Sequence, residues 1–147
     1  IDVLALVVDG EDVSAKPFPE ALKQAAERVA RTRDLPDKWL NPGPADMKEF
    51  GLPEGIVERA SRESFRDELT VHFLSRYDQI HLKLYAAVDQ SGGKHLSDLK
   101  ALEPTEDELV AASRWAMRQD PSEGFRQLLT WFLTQQGWDG VVETISD

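Results

Sequence analysis

Asp2, Lys83, Lys94 and Asp98 are the residues whose types and settings could do chemistry. Asp2 opens the aliphatic run IDVLALVV, and a carboxylate at the mouth of a buried strand is well placed to hold a divalent metal. Asp2 can equally be an exposed residue that only ends a strand. Lys83 lies beside the apolar stripe of RYDQIHLKLYAAVDQ. There a lysine can reach a phosphate, or lay its stem over the edge of a core with the ammonium in water. Lys94 and Asp98 follow the break Ser91-Gly92-Gly93, and their four-residue spacing also suits an ordinary surface ion pair.

Several familiar chemistries are missing. There is no glycine-rich phosphate loop of the P-loop or dinucleotide type and no G-x-S-x-G elbow. His72, His81 and His95 are spaced too widely for a two-histidine helix motif and read as residues on sheet or helix surfaces. The chain has no cysteine, which excludes disulfides, thiolate metal sites and a cysteine nucleophile.

The elements that must position these residues are legible from periodicity. Ile1–Val8 has the length and composition of a strand buried on both faces, with a polar turn at Asp9-Gly10-Glu11-Asp12. Pro17-Phe18-Pro19 opens a helix through about Arg33, with Phe18, Leu22, Ala25, Ala26 and Val29 on one face and Pro36 beyond its end. Trp39 to Pro44 is a stiff loop, expected to pack on the sheet or line a pocket, and Met47–Phe50 a short helical turn. Ala60–Phe65 and Leu69–Ser75 read as a hairpin, with Leu69, Val71 and Phe73 on one face.

The stretch Leu69–Leu102 then organises the chain: strand, a helix striped by Tyr77, Ile80, Leu84, Tyr85 and Val88, a glycine break, and a second short helix. Thr105-x-x-Glu108 and Asp120-Pro121-Ser122-Glu123 start two more helices. Trp138–Asp147 reads as a tail with one apolar patch, and Trp115, Trp131 and Trp138 as core or interface anchors. The expected class is α+β, a small mixed or antiparallel sheet with a helical C-terminal half. One domain over 1–147 is expected, with sheet and packing helices in 1–103 and further helices in 104–147.

The net charge of −10, from 27 acidic and 17 basic residues, disfavours non-specific binding to DNA or RNA and suits a basic protein partner or simple solubility. No apolar run approaches the length of a membrane span, so the expectation is a soluble, cytoplasmic protein without membrane contact. The first residue is Ile rather than Met, which is read as a sequence that begins mid-protein or has been trimmed.

The opening IDVLAL, the loop Trp39-Leu40-Asn41, and the later pattern LTVHFLS…LKLYA…KHLSDLKAL resemble a bacterial nucleotidyltransferase-like family related to the abortive-infection toxin type. The resemblance covers most of 1–103 and implies a sheet of nucleotidyltransferase type. It implies transfer of a nucleotidyl group from a Mg-bound nucleoside triphosphate to a protein, an RNA end or a small molecule. By it, Asp2 matches the second carboxylate of a metal pair. Lys83 matches a catalytic and nucleotide-binding helix lysine, Lys94 a nucleotide-binding residue, and Asp98 a catalytic one. Such chemistry needs mainly carboxylate-held Mg²⁺ and cations on the developing charge. The family's Gly-Ser motif and first aspartate are absent from this sequence, and Thr70 and His72 stand where active relatives often carry a third carboxylate. The alternative is a non-catalytic, degenerate member acting as a protein-interaction module, for example the acidic half of a toxin–antitoxin-like pair.

Overall fold

Ser75, Thr105 and Ser122 each end an extended stretch, and each side chain accepts a hydrogen bond from the amide three residues on. Such caps satisfy amides that the first helical turn leaves without partners. In the computed structural model, which describes residues 1–146 except the side chains of Glu49 and Phe50, a helix starts at each of them. The order is β1 (Leu6–Val8), β2 (Glu11–Val13), α1 (Glu20–Arg33), a 3₁₀ segment (Gly43–Phe50), α2 (Ile56–Arg59), β3 (Ser61–Phe65) and β4 (Leu69–Phe73). The rest is helical: α3 (Arg76–Asp89), α4 (Gly93–Ala101), α5 (Glu106–Gln119), α6 (Glu123–Gln135) and α7 (Asp139–Ser146). The class is α+β, and no described helix is long and apolar enough to cross a membrane.

The residues fall into two compact units, Ile1–Leu52 and Pro53–Asp147. In the first unit, the run Ile1–Val8 is not the buried strand its composition suggests. Leu6–Val8 pairs with Glu11–Val13, Asp2 makes an isolated bridge, and Val7 is 68% exposed. Burial on both faces needs neighbouring strands and covering helices, and this three-residue strand has a single partner of equal length. Asp9 and Gly10 both take positive φ, as a two-residue hairpin turn of the Asp-Gly type requires. The indole of Trp39 donates to the Ala26 carbonyl at 3.0 Å, so the proline-rich loop docks on α1, while its Asn41 bridges the N-terminal run at Asp2.

The second unit holds the larger core. β3 and β4 form a separate antiparallel hairpin in the register Ser61↔Phe73, Glu63↔Val71, Phe65↔Leu69, so the described residues form two two-stranded sheets and no mixed sheet. α3 packs on α4, α5 and α6, and its Ile80, Leu84, Ala87 and Val88 are fully buried. Tyr85 lies between Trp115 and Phe125, with ring centroids 6.0 and 5.4 Å away. The expected tail is a helix, since α7 buries Val141 against α5 and α6; Asp147 lies outside the described residues. An eight-residue helix gains its stability from such packing more than from propensity, and its apolar pattern is too short to announce it. Trp115 is a core residue and Trp138 packs by Phe132, whereas Trp131 is exposed.

The starts of α3 and α5 are tied together. Arg76 donates to the carbonyls of Leu102 and Glu103, each at 2.7 Å, and pairs with Glu108 at 2.5 Å. Glu108 also closes the capping box with Thr105. The hydrogen bond from Arg76, reinforced by the Thr105 amide, holds the Glu108 carboxyl below its ordinary value.

Candidate functional site

The four candidate residues divide between the two units. Asp2 belongs to the first, where it forms a parallel bridge with Asn41 and accepts a hydrogen bond from the Asn41 side chain at 2.8 Å. The sequence reading placed Trp39-Leu40-Asn41 and Asp2 in the same motif set without pairing them, and the bridge is their physical connection. Lys83, Lys94 and Asp98 belong to the second unit, on α3 and α4.

Lys83 donates to Asp98 at 2.7 Å, with both side chains partly covered. The expected Lys94–Asp98 pair therefore gives way to a cross-helix pair. A flexible ammonium fifteen residues earlier reaches the carboxylate because α3 and α4 pack side by side. The Lys83 hydrogen bond lowers the Asp98 pKa, with the charges of Lys83, Lys94 and His95 acting in the same direction against partial burial.

A Mg²⁺ site uses carboxylates and other oxygens around one point. Asp2 is engaged by Asn41, Asp98 by Lys83, and no cluster of three histidine, aspartate or glutamate side chains suited to a metal occurs among the described residues. A hollow of about 410 Å³ contains none of the four candidates. It lies in the first unit beside Leu4, Val13 and Ala15, where Lys16 pairs with Asp46 and Lys48 with Asp12.

A different polar cluster was missed at the level of sequence. Asp78 is fully buried, and Arg59 reaches it through Nε at 3.1–3.2 Å and Nη2 at 2.5 Å. Ser75 Oγ donates to the same carboxylate at 2.6 Å, and Arg59 Nη2 also donates to the Glu54 carbonyl at 2.7 Å. The Arg59 guanidinium sits 5.1 Å from the Tyr77 ring centre. Ser75-x-x-Asp78 ahead of an apolar run is a capping signature, so the start of α3 was findable; the Arg59 partner was not.

His81, expected on a surface, is 3% exposed between Tyr77 and Trp115, with centroids 4.4 and 5.8 Å away. Its Nδ1 donates to the Tyr77 carbonyl at 2.8 Å, which sets the tautomer of the neutral ring. Burial lowers its pKa from 6.5. The Tyr77 carbonyl and the Asp78 charge oppose that shift, and Arg59 and Arg118 add to it.

The unfolded chain takes a proton on this ring near pH 6.5 and the folded chain only at lower pH. The contribution of His81 to stability is thus complete above 6.5 and is lost as pH falls through the folded value. Urea unfolding of the full chain at pH 8, 6 and 5 is expected to show a falling midpoint, and His81→Gln a flatter profile over that range. The paired carboxylates of Asp98 and Glu108 act in a lower window. Their folded pKa values lie below the ordinary 3.8 and 4.5, so their stabilisation fades only as pH falls beneath those values.

The hairpin of β3 and β4 is the remaining feature with functional potential. Its register places Phe65, Leu69, Val71 and Phe73 on one face with Ser61 and Glu63, and Arg62, His72, Ser64 and Thr70 on the other. Phe65, Leu69 and Phe73 are 50%, 56% and 46% exposed. No family model, curated protein or solved structure matches this chain.

Proposed function

We propose that this chain is a protein-interaction module, and that its resemblance to nucleotidyltransferases is that of a non-catalytic member. In that reading the helices carrying Lys83, Lys94 and Asp98 correspond to the later part of a nucleotidyltransferase-type fold, and the metal chemistry has been lost. The observation that carries it is the amphipathic β3–β4 hairpin, which exposes Phe65, Leu69 and Phe73 on one face. Two strands alone are marginal in water, and aromatic side chains aligned on one open face are a feature of surfaces that bind other proteins. The pairing of Lys83 with Asp98 gives that pair a structural use that requires no nucleotide.

The second reading retains catalysis, with Mg²⁺ and a nucleoside triphosphate bound in a longer form of the protein. Lys83, Lys94 and Asp98 would be its nucleotide side. It is favoured by the convergence of two lysines on Asp98 in an otherwise acidic protein.

A photoreactive amino acid at position 69, with a control at the exposed Glu27 on α1, tests the first reading in living cells. Covalent protein adducts are expected from position 69 and not from 27. Thermal unfolding of the purified chain should not shift with millimolar Mg²⁺ and any of the four nucleoside triphosphates. Absence of adducts, together with a stabilisation that Lys83→Glu removes, would replace the interaction module by the nucleotide-binding reading.

A further inference from the structure

We infer that the partner of the β3–β4 hairpin is a second copy of this chain, joined along the edge of β4; the inference rests on the interaction-module reading. β4 pairs with β3 and with no other strand among the described residues, so the amides and carbonyls of alternate residues point outward along its second edge. The two edges of the hairpin differ in chemistry. β3, Ser-Arg-Glu-Ser-Phe, carries a guanidinium and a carboxylate at its centre, and charged residues on an edge oppose pairing with another strand. β4, Leu-Thr-Val-His-Phe, carries no carboxylate, ammonium or guanidinium.

β4 is also complementary to itself. An antiparallel pair with its two-fold axis at Val71 sets Leu69 opposite Phe73 of the second copy, Thr70 opposite His72, and Val71 opposite Val71. Directly opposed residues share a face, so each apolar side chain meets an apolar one and no like charges are opposed. Leu69 and Phe73 each gain a second cross-strand neighbour, and the result is a four-stranded sheet in the order β3, β4, β4, β3. Arg62 and Glu63 then lie on its outer strands, where they oppose further growth and favour a closed dimer over a fibre. Pairing through β3 would set Glu63 against Glu63 in the two-fold register. A strongly basic partner is the competing occupant suggested by the net charge of −10. The uncharged edge argues against it, because a basic strand would find no carboxylate on β4 to answer it.

Sedimentation equilibrium of the full chain from micromolar to submillimolar concentration tests the pairing. It should be run at physiological salt and at higher salt, where repulsion between two acidic chains is screened. The expected species is a dimer. Val71→Lys sets two ammonium groups against each other at the two-fold axis and is expected to give monomer, as is Val71→Glu. An equimolar mixture of the two variants is expected to restore a dimer containing one of each, a rescue that simple misfolding would not produce. Glu63→Lys, on the outer strand, should leave the dimer intact. A wild-type chain that stays monomeric throughout, a dimer indifferent to Val71→Lys, or a mixture that stays monomeric would each overturn the inference. A monomer that still gives position-69 adducts to another protein overturns the pairing and leaves the interaction module standing; no adduct at all overturns both.

Discussion

Arg59→Ala is expected to destabilise the second unit by about 3 kcal/mol, the lower end of the range for breaking a buried ion pair. Asp78 has no exposure to water, and Arg59 supplies hydrogen bonds to both of its carboxylate oxygens. Removal of the guanidinium leaves Ser75 as the remaining side-chain donor to a carboxylate that is buried in the folded chain. The Arg59 side chain is itself 35% exposed, so water entering the vacated space recovers part of the loss, which places the expectation at the lower end. Urea unfolding of the full chain provides the measurement. Replacing both partners, Arg59→Met with Asp78→Leu, should return most of the lost stability, because the buried charge disappears with its partner while Ser75 can still cap the α3 amide. A single variant as stable as wild type, or a double variant no better than Arg59→Ala, would show that the pair does not hold this corner. Since β3 begins two residues after Arg59, faster hydrogen exchange in the hairpin is the expected local consequence.

Leu84→Ala is expected to cost about 3–5 kcal/mol. Leu84 lies in the middle of α3, fully buried in a cluster that draws on α4, α5, α6 and α7, so no single neighbour can close the space left behind. Domains of this size are stable by roughly 5–15 kcal/mol, and this one change removes a large share of that. Denaturant midpoints of Leu84→Ala and of Leu128→Ala, whose side chain is 36% exposed on α6, make the comparison. A loss at Leu84 no greater than at Leu128 would mean that the helices do not close around α3 as described.

The extent of legibility follows the range of the interactions. Helix starts at Ser75, Thr105 and Ser122 were readable because a cap and its amide lie within three residues of each other. The hairpin from Ser61 to Phe73 and the face shared by Leu69, Val71 and Phe73 were readable for a similar reason, since alternation and a short turn are local. α3 as the centre of the helical half followed from the length and purity of its apolar stripe.

What lay at longer range was misread. An aliphatic run such as Ile1–Val8 has the same composition whether it is covered or not, and only its lack of neighbours left Val7 and Val8 exposed. His81 was assigned to a surface because the polar ring was considered apart from Trp115, thirty-four positions away, against which it packs. Lys83 lies on α3, and Lys94 and Asp98 on the adjacent α4. The choice of Lys83 over Lys94 as the partner of Asp98 was made by the packing of α3 on α4. The sequence by itself determined the α+β class, most helix boundaries and the two faces of the β3–β4 hairpin, because each is decided by free energies acting within a few residues. The tertiary structure alone decided which faces are covered, which charges pair and that Asp78 is buried with Arg59, because burial and pairing depend on residues distant in the chain.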